Sequence, residues 1–144
     1  MDKIKDIILT DLKKIPTPKG MVFHGLKASD PGYNGFGEAY FSSVGTNEIK
    51  GWKRHKRMTL NLIVIVGEIE FTIYDNRPDS PSSGIIQKVR LSRENYRRLT
   101  LPPDVWFAFK GISFAENILL DIINEEHCPE EAETLPLETF NIPL

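Results

Sequence analysis

I-K-G-W-K-R-H-K-R-M-T-L-N-L-I-V-I-V-G-E-I-E-F-T-I-Y-D-N-R, residues 49–77, decides how this chain folds. Lys53, Arg54, His55, Lys56 and Arg57 stand in a row and run straight into the β-branched, apolar residues 60–66. Beyond Gly67, the apolar Ile69, Phe71 and Ile73 alternate with Glu70, Thr72 and Tyr74. That period of two is the mark of a strand with one face on a core. Gly67-Glu68 between the two runs predicts a hairpin turn. The basic row has two readings: a solvated sheet edge, or an anion site at the opening of a barrel.

The same period extends outward. N-R-P-D-S-P-S-S-G (76–84) is a loop signal without periodicity. I-I-Q-K-V-R-L, R-R-L-T-L, V-W-F-A-F-K and N-I-L-L-D-I-I-N read as further short strands, with Pro102-Pro103 dividing the second from the third. Ser92 predicts a cap for a single helical turn over S-R-E-N-Y. On the N-terminal side, G-M-V-F-H-G-L-K-A and G-E-A-Y-F-S-S-V read as strands. Residues 7–10, I-I-L-T, fit a strand, although Ile4, Ile7, Ile8, Leu12 and Ile15 also fit a helical stripe. The acid-rich tail from Glu125 reads as a solvated turn or short helix. Many short strands joined by Gly and Pro turns argue an all-β sandwich or small barrel, here one domain over residues 1–144.

Composition narrows the function classes. A chain of 144 residues with 40% hydrophobic and 26% charged residues suits one core. The net charge of -2 provides no global field for nucleic acid or an acidic membrane. Cys128 is the one cysteine, so no intramolecular disulfide forms. The opening M-D-K-I-K-D-I-I-L-T lacks a signal-peptide pattern, and residues 62–66 are too short to span a bilayer. These features lead us to expect a soluble, cytoplasmic protein.

Three motifs carry a family resemblance. D-x-R-x-x-S-P-x-x-G lies at Asp75, Arg77, Ser80, Pro81 and Gly84; L-S-x-E-N runs from Leu91 to Asn95; the double proline follows at 102–103. With G-F-G-E at 35–38, they give residues 20–135 a clear likeness to the dTDP-4-dehydrorhamnose 3,5-epimerase family. The resemblance implies an all-β, cupin-type double-stranded β-helix (jelly roll), a homodimer, and a nucleotide-linked 4-keto-6-deoxy sugar as ligand. It also implies that Phe36 and Glu38 lie near the nucleotide.

The chain departs from that family at its catalytic positions. The family's R-G-L-H reads K-G-W-K here, so Lys50 replaces the arginine and Lys53 the catalytic histidine. A later family histidine is Phe107, and an arginine before G-x-F-x-E has become Tyr33 or Asn34. The carboxylate that orients the histidine matches Glu125. His55, two residues from Lys53 and on the same strand face, is the alternative base. A lysine base would need its ordinary pKa of about 10.4 lowered by roughly three units, so charge stabilisation is the easier role for Lys53.

Other candidates come from residue type. Lys50 and Arg54 suit a pyrophosphate. Trp52 and Trp106 suit stacking on a sugar or base, with core packing as the alternative. Asp121 sits between Leu120 and Ile122, where a carboxylate is costly unless it is paired or used. Tyr40 and Tyr74 are candidate proton donors. Asp75 reads either as part of the site or as an ion pair with Arg77. The H-x-H and glutamate pattern of metal-binding cupins is broken at Lys53, Met58, Thr59 and Phe107, which predicts no metal, and no other cofactor motif is present.

Two functions remain open on the sequence. One is a nucleotide-sugar epimerase or isomerase of surface polysaccharide biosynthesis, including lipopolysaccharide. The other is a non-catalytic cupin that binds a sugar, a nucleotide sugar or a partner protein.

Overall fold

The structure, a computed structural model, describes residues 3–144. Its strands are β1 (Ile8–Asp11), β2 (Lys14–Thr17), β3 (Gly20–Phe23), β4 (Glu38–Ser43), β5 (Ile49–His55), β6 (Leu60–Val66), β7 (Glu68–Tyr74), β8 (Ile86–Ser92), β9 (Arg97–Leu101), β10 (Trp106–Gly111), β11 (Ile118–Ile123) and β12 (Ala132–Thr134). A 3₁₀ turn, Pro129–Glu131, precedes β12. Two five-stranded antiparallel sheets face each other, ordered β1-β9-β6-β11-β4 and β12-β5-β10-β7-β8. The β2-β3 hairpin stands apart as a third, two-stranded sheet. This is the all-β jelly roll that the motifs imply. No helix among the described residues is long and apolar enough to cross a membrane.

Alternation along each strand builds the core. Leu60, Leu62 and Val64 of β6, Ile69, Phe71 and Ile73 of β7, and Leu99 and Leu101 of β9 turn their side chains between the sheets. Each such side chain contributes roughly 1.5–3 kcal/mol through burial. Register then decides what else points inward. Tyr40 of β4 is paired with Asp121 of β11, and Asp121 lies between the buried Leu119 and Ile123.

The hairpin expected at Gly67-Glu68 does not form. β6 pairs with β9 and β11, whereas β7 pairs with β8 and β10 in the opposite sheet. The chain therefore crosses between sheets at Gly67. Gly67 has a φ of +76°, and a Cβ there would lie 2.0 Å from the Glu116 carbonyl oxygen. Glycine is required for both reasons. Alternation reports which face of a strand is buried, but not which strand lies beside it.

Two other expectations change. Ser92 does make a cap-like hydrogen bond, accepting the Asn95 N–H at 3.1 Å, but the segment is a turn and not a helix. The acid-rich tail is more than a solvated surface. Its 3₁₀ turn buries Glu131 completely, and β12 extends the second sheet against β5. The remaining tail covers that sheet's outer side with Leu135, Leu137, Phe140, Ile142 and Leu144.

Candidate functional site

A cavity of about 240 Å³ opens between β4 and β5, inside the sandwich. Tyr40 and Ser42 of β4, Lys50 and Lys53 of β5, Phe107 and Phe109 of β10, and Asp121 of β11 line it. Gly51 is also part of the wall. It has a φ of +143°, and a Cβ would sit 2.6 Å from the Ala108 Cβ, so glycine lets β5 and β10 approach here. The ladder between β5 and β10 slips at this point, pairing Phe109 with Lys50 but Phe107 with Lys53. The slip brings both lysines onto the inner face.

Asp121 is the most perturbed acid of the cavity. Burial is the main cause, raising its pKa from 3.8 to about 6; the Tyr40 hydroxyl and Lys53 offset part of that rise, and Glu38 adds to it. The Tyr40 hydroxyl donates to Asp121 Oδ2 at 2.9 Å. Burial, and then the neighbouring Asp121, drive the Tyr40 pKa well above its usual range, so its proton stays in place. Lys50 Nζ reaches Ser42 Oγ at 3.4 Å.

His55 lies beyond Lys53 on the same face. It does not line the cavity itself; its ring stacks at 6.3 Å on Phe107, which does. His55 Nδ1 lies 2.6 Å from Glu131 Oε1. Glu131 also accepts the backbone N–H groups of Arg57 and Met58, at 2.9 and 2.8 Å. Burial raises the Glu131 pKa, but those N–H groups and His55 outweigh it, so the carboxylate stays ionised. Burial also lowers the His55 pKa below 6.5 against the opposing pull of Glu131. At neutral pH the pair is therefore a neutral imidazole on a carboxylate. Nδ1–H donates to Glu131, and Nε2 is left as an acceptor with no protein partner among the described residues.

The family resemblance implies Glu125 as the orienting carboxylate. In the structure Glu125 is partly exposed and pairs with Arg57 at 3.1 Å, and Glu131 holds the imidazole instead. Glu131 was lost among the acids of the tail. Its only sequence signal is that A-E-T directly after it can form a strand.

Three further candidates sit on the wrong face for the cavity. Trp52, Arg54 and Trp106 point to the outer side of the second sheet. Trp52 is fully buried, donates from Nε1 to the Leu137 carbonyl at 3.0 Å, and meets Phe140 edge-on. Trp106 packs against the same Phe140. Arg54 makes two 2.9 Å hydrogen bonds to Glu133 and lies 4.9 Å over Trp106. The physical reason is parity: these residues occupy strand positions opposite in phase to Lys53 and Phe107.

Asp75 is also away from the cavity, fully buried beneath the loop that leads to β8. It accepts from Arg77 Nε at 2.9 Å and from the hydroxyls of Ser80 and Ser82, both at 2.6 Å. Burial opposes its ionisation, but these donors together hold it far below the ordinary carboxylate range. Phe36 is exposed in the loop before β4, and Glu38 accepts the His127 backbone N–H at 2.9 Å. Neither lines the cavity. Among the described residues, no three His, Cys, Asp or Glu side chains gather into a metal-ligand group.

Comparison with known proteins agrees with the fold and the motifs. No protein-family model matches the chain. A probable low-salt glycan biosynthesis epimerase, Agl13 of Haloferax volcanii, is 26% identical over 123 residues, covering 84% of this chain and 79% of that protein. The crystal structure of a dTDP sugar isomerase from Desulfovibrio desulfuricans G20 superposes with a TM-score of 0.92 at 37% identity, over 98% of this chain and 90% of that one. The 3,5-epimerase RmlC of Legionella pneumophila, in complex with dTDP-4-keto-L-rhamnose, superposes with a TM-score of 0.83 at 20% identity, over 94% and 76% of the two chains. The likeness to the dTDP sugar isomerase, at 37% identity over nearly the whole of both chains, shows that the chain belongs to the dTDP-4-dehydrorhamnose 3,5-epimerase-like (RmlC-like) cupin family of dTDP-sugar isomerases and epimerases.

Proposed function

We propose that this protein is a nucleotide-sugar epimerase or isomerase acting on a dTDP-4-keto-6-deoxyhexose, with His55 as its base. The observation that carries the reading is the His55–Glu131 pair at 2.6 Å, one pleat along from Lys53 and against the Phe107 wall of the cavity. A proton next to a ketone needs a neutral base and a cation for the oxyanion that forms. His55 Nε2 takes the proton from carbon, and the bonding electrons move to the carbonyl oxygen. Lys53 and Lys50 face the resulting enolate or the pyrophosphate as fixed positive charges. Glu131 stabilises the imidazolium that results and keeps Nε2 aimed. Return of a proton to the same carbon from the opposite face completes an epimerisation; transfer of the neighbouring hydroxyl proton to the enolate oxygen, with the carbon-bound proton delivered to the former carbonyl carbon, completes an isomerisation. Phe36 and Glu38, outside the cavity, are assigned to the nucleotide end.

Heavy-water exchange tests this directly. The protein is incubated with dTDP-4-keto-6-deoxyglucose in D₂O, and the sugar C3 and C5 protons are followed by NMR. Enzyme-dependent loss of the C3 signal, abolished in His55→Ala, supports the reading. No exchange above the protein-free control refutes it for this substrate and returns the weight to a non-catalytic binding cupin.

The same proposal includes a cytoplasmic homodimer serving glycan biosynthesis, lipopolysaccharide among the end products. Exposed Phe41, Met21 and Val22 support a second copy. Beside Phe41 runs an apolar groove that includes Phe23, Ile63, Ile65 and Leu120. Light scattering that gives a monomer mass at micromolar concentration removes the dimer from the proposal.

A further inference from the structure

Asp121 Oδ1 is buried and makes no hydrogen bond among the described residues. The other oxygen, Oδ2, is fixed by the Tyr40 hydroxyl at 2.9 Å, so the carboxyl group cannot turn to exchange its two atoms without breaking that bond. Buried polar atoms are almost always paired, and each exception calls for a reason. Asp121 is 7% exposed and lines the cavity, on the sheet facing Lys50 and Lys53. Around it, Leu62, Leu119 and Phe107 cannot donate, the Tyr40 hydroxyl is given to Oδ2, and Lys53 acts on the carboxylate through its charge without making a hydrogen bond to it.

We propose that Asp121 is the specificity-determining residue of the cavity, its free Oδ1 accepting a hydrogen bond from one ring hydroxyl of the bound sugar. The proposal rests on the nucleotide-sugar reading above and adds the class of group recognised: a hydroxyl, not a methyl or a second anion. The charges suit that division of labour. Lys50 and Lys53 face anionic or carbonyl oxygens from β5, and Asp121 faces a donor from β11. A polar site built for a hydroxyl penalises an analogue that lacks it, because the site's own atom is again left unpaired. For a hydrogen bond to an ionised acceptor, the penalty is roughly 10- to 150-fold in affinity.

The test is a binding panel by calorimetry at pH 7.5: dTDP, dTDP-glucose, dTDP-2-deoxyglucose and dTDP-3-deoxyglucose. Wild-type protein is expected to bind one of the deoxy sugars at least 10-fold more weakly than dTDP-glucose. Asp121→Leu, close in shape and without an acceptor, is expected to bind those two ligands equally while keeping wild-type affinity for dTDP. Asp121→Asn retains an acceptor oxygen but no charge, and is expected to discriminate less than wild type; it keeps the test decisive where the leucine variant does not fold. Wild-type discrimination in both folded variants, or equal weakening of every ligand including dTDP, overturns the proposal and leaves the function intact. Failure of all four ligands to bind wild-type protein overturns the nucleotide-sugar reading and this inference with it.

Discussion

Asp121→Asn is expected to stabilise the protein at neutral pH and to lose that advantage in acid. Burial lifts the Asp121 pKa from 3.8 to about 6, a rise of about two units. One unit corresponds to about 1.4 kcal/mol, so ionised Asp121 costs the folded state about 3 kcal/mol relative to its protonated form. Because the folded pKa is raised, the folded chain holds a proton between pH 3.8 and 6 that the unfolded chain releases. The stability contributed by protonation is complete below pH 3.8 and is lost as pH climbs through 6. Asparagine has no such proton, and its amide oxygen can still accept from Tyr40. The variant's advantage over wild type is therefore expected to grow by about 2 kcal/mol between pH 4.5 and 7.5. Urea unfolding of both proteins at those two pH values measures the change, and the other titrating groups cancel in the difference. An advantage that is constant with pH, or one that shrinks as pH rises, refutes the assignment of Asp121 as a carboxylate forced into an apolar wall. An acid kept at this cost in the wall of a cavity fits a working site, where perturbed carboxylates cluster.

The other expectations concern the base, the buried loop and the tail. Burial holds the His55 pKa below 6.5, so the exchange rate should rise as pH climbs through a value under 6.5 and level off by neutrality; a limb centred above 7 assigns the base to another group. Glu131→Gln should lower that rate by about 10²- to 10⁴-fold, because the amide favours the wrong imidazole tautomer, and a smaller effect removes Glu131 from the mechanism. Asp75→Asn breaks the charged pair with Arg77 and should cost about 3–5 kcal/mol in urea titrations, while exchange per folded molecule stays at the wild-type rate; a specific loss of rate returns Asp75 to the site. Truncation after Leu135 strips Phe140 and the Leu137 carbonyl from Trp52 and Trp106, so tryptophan emission should shift to the red; unchanged emission contradicts their packing beneath the tail.

The strands were legible because their signal is local. Ile69, Phe71 and Ile73 announce an inward face whatever lies opposite, and the Asp75–Gly84 motif announces the loop. Pairing was not legible, and Gly67 is the instance: a glycine between two strands serves a hairpin or a crossover equally well, and only the other strands decide. Within the site, Tyr40 and Asp121 were suggested by residue type and Lys50 and Lys53 by the basic row and the family motif, and the structure brings the four to one cavity. Trp52, Arg54 and Trp106 misled for a physical reason. An aromatic or basic side chain has the same composition signal on either face of a strand, and the slip between Phe107 and Phe109 shifts the phase that would separate the faces. The outer face is then buried by residues 135–144, whose Leu135, Leu137, Phe140, Ile142 and Leu144 alternate in strand fashion yet form no strand, with Pro136 and Pro143 lacking a backbone N–H for a ladder.

The exchange of Glu125 for Glu131 follows from the placement of the imidazole. Lys53 lines the cavity, and His55 stands two residues further on. A step of two keeps a side chain on the same face of a strand and carries it roughly 6.6 Å along the axis. A carboxylate placed to meet a side chain at position 53 cannot also meet one at 55, so the partner must come from another part of the chain. β12 supplies it: Ala132 is paired with His55 across the ladder, which leaves Glu131, one residue earlier, to reach over the end of β5. There the same carboxylate accepts the backbone N–H groups of Arg57 and Met58 where the chain leaves the strand. The acceptor is therefore fixed by the fold before it meets the imidazole, which is the property a base-orienting residue needs. Glu125 instead pairs with Arg57 at the surface, where such a bond contributes little.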